Sequence, residues 1–151
     1  MKIVDILNQD AIICDAEATS KKQLLGLFSE LAAKKTGLDE RLIIDALIER
    51  ERLGTTGIGR GVALPHTRLA SLKNIFCAFI KTTPVDFESV DDKPVDLAFL
   101  LLVPEDAGAD HLKALARLSR LLRDEAVSTA LRQATDAETV YNLIKENETE
   151  D

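Results

Sequence analysis

Two segments in the middle of the chain are almost wholly apolar. Residues 75–80 are apolar throughout, and residues 95–103 are apolar except for Asp96. A strand with one face in water alternates apolar and polar side chains, whereas a strand covered on both faces does not. Both segments therefore predict strands with helices on either side. Two shorter apolar segments, 11–14 and 62–64, predict further strands.

Before these strands, apolar residues recur every three or four positions, which is the period of an amphipathic helix. Ser20 and Gln23 have the spacing of a capping box, so the first helix should begin there and end near Gly37. A second helix should begin after Asp39 and end near Arg52.

The C-terminal third returns to helical spacing, and the pattern predicts two helices. Asp110 is the expected N-cap of the first helix, and Thr135 with Glu138 forms a second capping box. The buried faces of the two helices should carry Leu112, Leu115, Leu118, Leu121 and Leu122, and then Val140, Tyr141 and Ile144.

Together these elements predict an α/β fold, a three-layer sandwich with a mixed sheet of about five strands flanked by helices on both faces. The 151 residues fit one domain, residues 1–151. The acidic tail, 146–151, should be frayed and solvated because its like charges repel one another.

Charge and hydropathy exclude several classes of function. The chain has 19 Lys and Arg against 26 Asp and Glu, a net charge of −7, which opposes binding to nucleic acid. The longest apolar run, 97–103, is far shorter than the roughly 20 residues of a membrane helix. With no secretory signal at the start and only Cys14 and Cys77 as thiols, we expect a cytoplasmic protein without membrane insertion.

His66 is the first candidate for chemistry. It follows Pro65 at the end of the 62–64 strand, and strand ends in open α/β sheets are where sites tend to form. A neutral imidazole is a nucleophile at the pH of the cytoplasm. The alternative is a hydrogen-bonded histidine without catalytic function.

Basic residues and glycines surround His66 in an otherwise acidic chain. Guanidinium groups bind phosphate oxygens in forked geometry, and glycine-rich backbone can turn N–H groups toward an anion. The pattern suggests a phosphoryl group as ligand, although each arginine could instead be solvated. The glycine spacing does not match a dinucleotide site, no metal-ligand spacing is present, and no cofactor is expected. The residues are Arg50, Arg52, Arg60 and Arg68, with Gly54, Gly57, Gly59 and Gly61.

His111 is the second histidine and follows Asp110 in the first turn of the predicted helix. A helix N-terminus offers free N–H groups and the positive end of the helix dipole, so a phosphate near His111 would be favoured. The alternative is a solvent-facing histidine at a helix start.

The segment from Gly54 to His66, GTTGIGRGVALPH, resembles the active-site segment of enzyme IIA domains of the mannitol/fructose class. These domains belong to the phosphoenolpyruvate-dependent sugar phosphotransferase system, and the likeness is greatest to its nitrogen-regulatory branch. Residues 49–52, 93–104 and 111–112 also match, and the resemblance extends over about residues 1–145.

The resemblance implies a mixed five-stranded sheet with helices on both sides, and it implies a role for each candidate residue. His66 would accept a phosphoryl group, as a tele-phosphohistidine, from a phosphorylated histidine carrier protein. His111 and Arg50 would stabilise the transferred group. Gly57, Gly59, Arg60 and Gly61 would form the phosphate-binding loop. The chain departs from the family at Arg60, where Asn is usual, and this adds a charge to the loop.

Two functions follow from the resemblance and remain open. The chain could regulate target proteins, such as transporters or sensor kinases, according to its phosphorylation state. It could instead be the IIA subunit of a fructose- or mannitol-type uptake system and pass phosphate to a separate IIB domain. The free-standing length favours regulation. A third possibility, a binding protein with a vestigial His66, is opposed by the presence of Arg50, His66 and His111 together.

Overall fold

The computed structural model describes residues 1–148, whose six strands form one mixed sheet in the order β1-β5-β6-β3-β2, with β4 also paired to β6. The predicted α/β sandwich is confirmed, with one strand more than expected. The strands are β1 (Leu7–Ala16), β2 (Gly57–Gly59), β3 (Val62–Ala63), β4 (His66–Leu69), β5 (Phe76–Val85) and β6 (Val95–Pro104). The helices are α1 (Lys21–Thr36), α2 (Glu40–Arg52), α3 (Asp110–Arg123), α4 (Glu125–Gln133) and α5 (Ala137–Asn147), after a short 3-10 helix at Ile3–Asp5.

Strand β6 lies at the centre of the sheet and is buried on both faces. It pairs antiparallel with β5 on one side and parallel with β3 and β4 on the other. Phe99 and Leu101 point into the core that contains α3, α4 and α5, whereas Leu100 and Leu102 point into the core beneath α1 and α2. The almost wholly apolar sequence of β6 follows from this burial, because neither face of the strand meets water.

The strand predicted at 62–64 is β3, and the chain continues beyond Pro65 as β4, which the sequence pattern did not predict. β3 and β4 follow one another along the same edge of β6, separated by Leu64 and Pro65. Proline has no backbone N–H and cannot continue the ladder as a donor. Its carbonyl oxygen still accepts a hydrogen bond of 2.9 Å from Leu101 N, so the chain stays against β6 across the break.

Helices α1 and α2 begin and end close to the predicted positions. Ser20 Oγ accepts a hydrogen bond of 3.0 Å from Gln23 N, and Gly37 ends α1 at φ +77°. The capping box differs in one detail, because the Gln23 side chain bonds to Thr19 N rather than to Ser20 N. Asp39 caps α2 by accepting from Arg41 N.

The C-terminal third contains three helices rather than two, and both predicted N-caps there are wrong. The N-cap of α3 is Ala109, which has no side chain for capping, and Asp110 is the first helical residue. The N-cap of α5 is Asp136, whose carboxylate accepts a bond of 2.7 Å from Thr139 N. Thr135 stands one position too early. The additional helix α4 begins behind the N-cap Asp124.

The acidic end of the chain differs from the predicted solvated tail. Helix α5 continues to Asn147, and the side chain of Glu148 is only 2% exposed. The Glu148 carboxylate accepts hydrogen bonds from Ile3 N (2.8 Å) and Val4 N (3.1 Å) and lies 3.5 Å from the Arg117 guanidinium. These partners outweigh the repulsion between like charges. Residues 149–151 lie outside the described part of the chain.

Within residues 1–148, no helix combines the length and the apolar composition needed to cross a bilayer.

Gly61 permits the turn between β2 and β3, and its replacement should destabilise the fold. Its φ is +80°, and a Cβ there would lie 2.5 Å from an Arg132 guanidinium nitrogen and 2.9 Å from Asp96 Oδ1. We expect Gly61→Ala to lower the free energy of unfolding, measured in urea, by about 1–3 kcal/mol.

The matched control is Gly26→Ala inside α1, where the new methyl group would meet only Ile44 Cδ1 at 3.7 Å. This change should raise the free energy of unfolding by up to about 1 kcal/mol because alanine favours helix. Equal unfolding midpoints for the two variants would contradict the strain assigned to Gly61.

Candidate active site

A cavity of about 360 Å³ lies beside the C-terminal part of β6 and brings together the three principal candidates, His66, His111 and Arg50. The cavity combines apolar and basic side chains, and no acidic residue among residues 1–148 lines it. Such a lining favours an anionic ligand. The lining residues are Arg50, His66, Thr67, Arg68, Leu101, Val103, His111, Leu112 and Leu115.

A hydrogen bond to the residue before Pro65 holds His66 in one tautomer. Its Nδ1 lies 2.7 Å from Leu64 O. A carbonyl oxygen can only accept, so Nδ1 carries the hydrogen and the lone pair of Nε2 is left unprotonated. The stiff backbone at Pro65 thus presents His66 with a defined nucleophilic nitrogen.

The electrostatic surroundings of His66 favour the neutral form of its ring. Burial lowers its pKa below the ordinary value, and Coulombic interactions with Arg50 and His111 lower the pKa further. The hydrogen bond to Leu64 and the nearby Glu51 carboxylate oppose this shift, but they are not sufficient to reverse it. A neutral imidazole has the lone pair that nucleophilic attack requires.

Arg50 reaches the cavity from the last turn of α2. Its Nη1 donates a hydrogen bond of 3.0 Å to Gly54 O, just beyond the end of the helix. This contact fixes the guanidinium at one edge and leaves its other N–H groups for a ligand.

Glu51 anchors the start of the glycine-rich loop, a role that the sequence pattern did not indicate. Its carboxylate accepts hydrogen bonds from Thr56 N (3.0 Å) and from the Thr56 hydroxyl. It also pairs with Lys21 Nζ at 2.9 Å and is only 7% exposed. Glu51 thereby joins α1, α2 and the loop behind the cavity.

Arg68 also lines the cavity, although the sequence indicated it only as one of four arginines near His66. Its guanidinium reaches the His111 ring, with Nη2 3.1 Å from Nε2. The available signal was its spacing from His66, because alternate residues of a strand point to the same side. Arg52, by contrast, pairs with Glu49 at 2.8 Å and does not line the cavity.

The glycine-rich loop does not reach the cavity. None of Gly57, Gly59, Arg60 and Gly61 is among the described residues that line it. Arg60, at φ +58°, instead donates from its backbone N to Asp91 (2.9 Å) and from its guanidinium to Arg123 O (3.1 Å). In this structure the four loop residues form the turn beside β3, and their binding of phosphate stays a prediction.

The family model of the phosphoenolpyruvate-dependent sugar phosphotransferase system, EIIA 2, matches residues 5–147. The chain belongs to this family. The resemblance inferred from the Gly54–His66 segment is thereby confirmed, and the cavity beside His66 is a cavity of an EIIA domain.

Individual relatives of this EIIA domain carry two kinds of name. A nitrogen regulatory protein of Bradyrhizobium diazoefficiens is 49% identical over 145 residues, which cover 95% of this chain and 95% of that protein. A fructose-specific EIIA component of Haloferax volcanii is 34% identical and covers 91% of this chain and 90% of its own length. The crystal structure of nitrogen regulatory protein IIA-Ntr from Neisseria meningitidis superposes with a TM-score of 0.90 at 38% identity, over 94% of this chain and 98% of that one.

The lowered pKa of His66 can be measured directly. In a nitrogen-15 NMR titration, we expect its midpoint below the ordinary value of about 6.5. The folded state then binds fewer protons than the unfolded state just below that pH, and this contribution reduces stability as the pH falls. Arg50→Met should raise the midpoint, because it removes a positive charge while retaining an apolar side chain.

Arg52→Met is the matched control for this titration. It removes an arginine two positions away whose guanidinium is engaged with Glu49 outside the cavity. This control should leave the His66 midpoint unchanged. A wild-type midpoint at or above about 6.5 would contradict the electrostatic description of the site.

Proposed function

We propose that this EIIA domain is a histidine phosphocarrier of a nitrogen-regulatory phosphotransferase system, acting in the cytoplasm. A phosphorylated histidine carrier protein would donate the phosphoryl group, and His66 Nε2 would accept it. The single observation that carries this proposal is the Nδ1 contact of 2.7 Å with Leu64 O, which leaves Nε2 as the nucleophile in a cavity lined by basic groups.

The transfer would form one bond and break one. The lone pair of His66 Nε2 attacks phosphorus in line, and the N–P bond of the donor breaks with its electron pair returning to the donor imidazole. His66 Nδ1 keeps its hydrogen and continues to donate a hydrogen bond to Leu64 O. This carbonyl would therefore stabilise the positive charge that the ring acquires. The product is a tele-phosphohistidine.

The basic residues would stabilise the charge of the transferred group. Arg50 and His111 line the same cavity as His66 and are proposed to face the equatorial oxygens of the phosphoryl group. The apolar side chains Leu112 and Leu115 border the site, and Leu112 is 60% exposed there rather than buried as its helical spacing predicted. A phosphoryl group adds about −1.5 to −2 charge, enough to alter which protein docks here.

Regulation of partner proteins is the proposed outcome of phosphorylation. The nitrogen regulatory relative at 49% identity supports it, and transporters or sensor kinases are the expected class of target. The second candidate, phosphate donation to a separate IIB domain in sugar uptake, is supported by the fructose-specific relative at 34% identity.

Phosphoryl acceptance is tested by incubation with labelled phosphoenolpyruvate, enzyme I and the carrier protein. We expect about one acid-labile phosphate per chain, and none on His66→Ala. His111→Ala should still accept label, because His66 and its tautomer are retained. Acceptance should be slower, because a group proposed to face the phosphoryl oxygens is lost. Absence of label on the wild type would favour a binding protein with an unused His66, and label on His66→Ala would exclude His66 as the acceptor.

Arg50→Ala should lower the rate of phosphoryl acceptance on the order of 100-fold, since it removes a charge that faces the developing transition state. Rapid-quench kinetics with phosphorylated carrier protein would measure this. Arg52→Ala is the control, and it should retain the wild-type rate. Similar rates for the two variants would remove Arg50 from the mechanism.

Onward transfer distinguishes regulation from sugar uptake. The labelled chain is offered to a fructose-type or mannitol-type IIB domain, and the label on IIB and on sugar is followed. The regulatory proposal predicts that label remains on His66 over the time in which a fructose-specific EIIA control loses it. Transfer as fast as in that control would favour uptake.

A further inference from the structure

Arg68 is fixed by hydrogen bonds that span two segments of the chain. It lies two positions after His66 in β4, and its register partner in β6 is Val103. Its Nη1 donates to Glu105 O and to Ala107 O, both at 2.9 Å. The guanidinium therefore connects β4 to the segment that leads into α3, and its second terminal nitrogen remains available.

The second terminal nitrogen of Arg68 contacts the His111 ring. His111 Nδ1 lies 2.7 Å from Gly108 O, and because a carbonyl can only accept, Nδ1 carries the hydrogen. Arg68 Nη2 lies 3.1 Å from Nε2 and 3.3 Å from Nδ1, so the guanidinium contacts both nitrogens of the ring. The carbonyl of Gly108 and the guanidinium of Arg68 together hold the His111 ring in one position.

Arg68 contacts the start of α3 at a place where no N-cap side chain bonds to the helix. Its N-cap, Ala109, has helical dihedral angles of −71° and −12° and makes no side-chain hydrogen bond. Arg68 supplies a link from the sheet both to the segment before the helix and to its second residue, His111.

We propose that Arg68 is a positioning residue for phosphoryl transfer, which acts by orienting the His111 ring against His66. The inference rests on the proposed function of the site. A lysine could not replace it, because one ammonium cannot span two carbonyl oxygens and an imidazole as the planar guanidinium does.

A double-mutant cycle tests whether Arg68 acts through His111. Arg68→Ala should slow acceptance from the phosphorylated carrier on the order of 10-fold, and Arg68→Lys should not restore the rate. Arg68→Ala combined with His111→Ala should match His111→Ala alone within about twofold. If the double variant instead loses the product of both single effects, Arg68 acts independently and the proposal is wrong.

Two further variants separate positioning from loss of structure. Arg68→Met retains an unbranched stem without the donors, and it should slow transfer as Arg68→Ala does while melting with the wild type. Arg41→Ala removes an exposed arginine of α2 that pairs with Asp45, and it should change nothing. A wild-type rate for Arg68→Met would overturn the proposal.

A spectroscopic measurement tests the contact without any phosphoryl chemistry. In nitrogen-15 histidine spectra of the unphosphorylated wild type, His111 should show a protonated Nδ1 and an acceptor Nε2. Arg68→Met should shift the ring-nitrogen resonances of His111, because the guanidinium beside both nitrogens is removed, whereas Arg41→Ala should not. An unchanged His111 signature would overturn the proposal, even if the wild type accepts no phosphate and the proposed function itself fails.

Discussion

The burial of β6 on both faces is the constraint on which the rest of the structure depends. A central strand whose only polar side chain is that of Asp96 requires helices above and below it, and the two helix layers are placed accordingly. The strand also offers a hydrogen-bonding edge to the segment that carries His66. The positions of α3 and of His66 both follow from the same strand, so the candidate site is fixed by the most buried part of the molecule.

The interruption between β3 and β4 determines how His66 is presented at this edge of β6. An uninterrupted strand would commit Leu64 O to the ladder and would leave His66 as one of several alternating side chains. Because Pro65 interrupts the pairing, Leu64 O accepts from the imidazole instead. Local disruption of regular structure is thus the source of the tautomer, and burial beside Arg50 maintains the neutral ring.

The elements that could be predicted from the sequence are those specified by nearby residues. The two-sided burial of β6 is evident from its own composition, and the limits of α1 follow from Ser20 and Gly37. The N-cap of α5 could not be chosen correctly, because Thr135 and Asp136 are both good caps and tertiary packing selects between them. His66 was found from its local context and from the resemblance.

Contacts between distant segments account for what the sequence did not indicate. The role of Glu51 depends on Lys21 and on the loop, and the role of Arg68 depends on carbonyl groups more than 35 positions away. The glycine-rich loop likewise has contacts that its composition did not indicate, such as the hydrogen bond from the Arg60 guanidinium to Arg123 O, 63 positions away.

The hydrogen bond from Ile3 N to Glu148 joins residues separated by 145 positions. No partly folded chain that lacks either end can form it. The exchange of the Ile3 amide hydrogen with solvent therefore requires only that one end opens, whereas its protection requires that both ends are in place. This amide therefore reports whether the two ends are packed together, and exchange faster than that of the β6 amides would indicate opening at the ends without unfolding of the sheet.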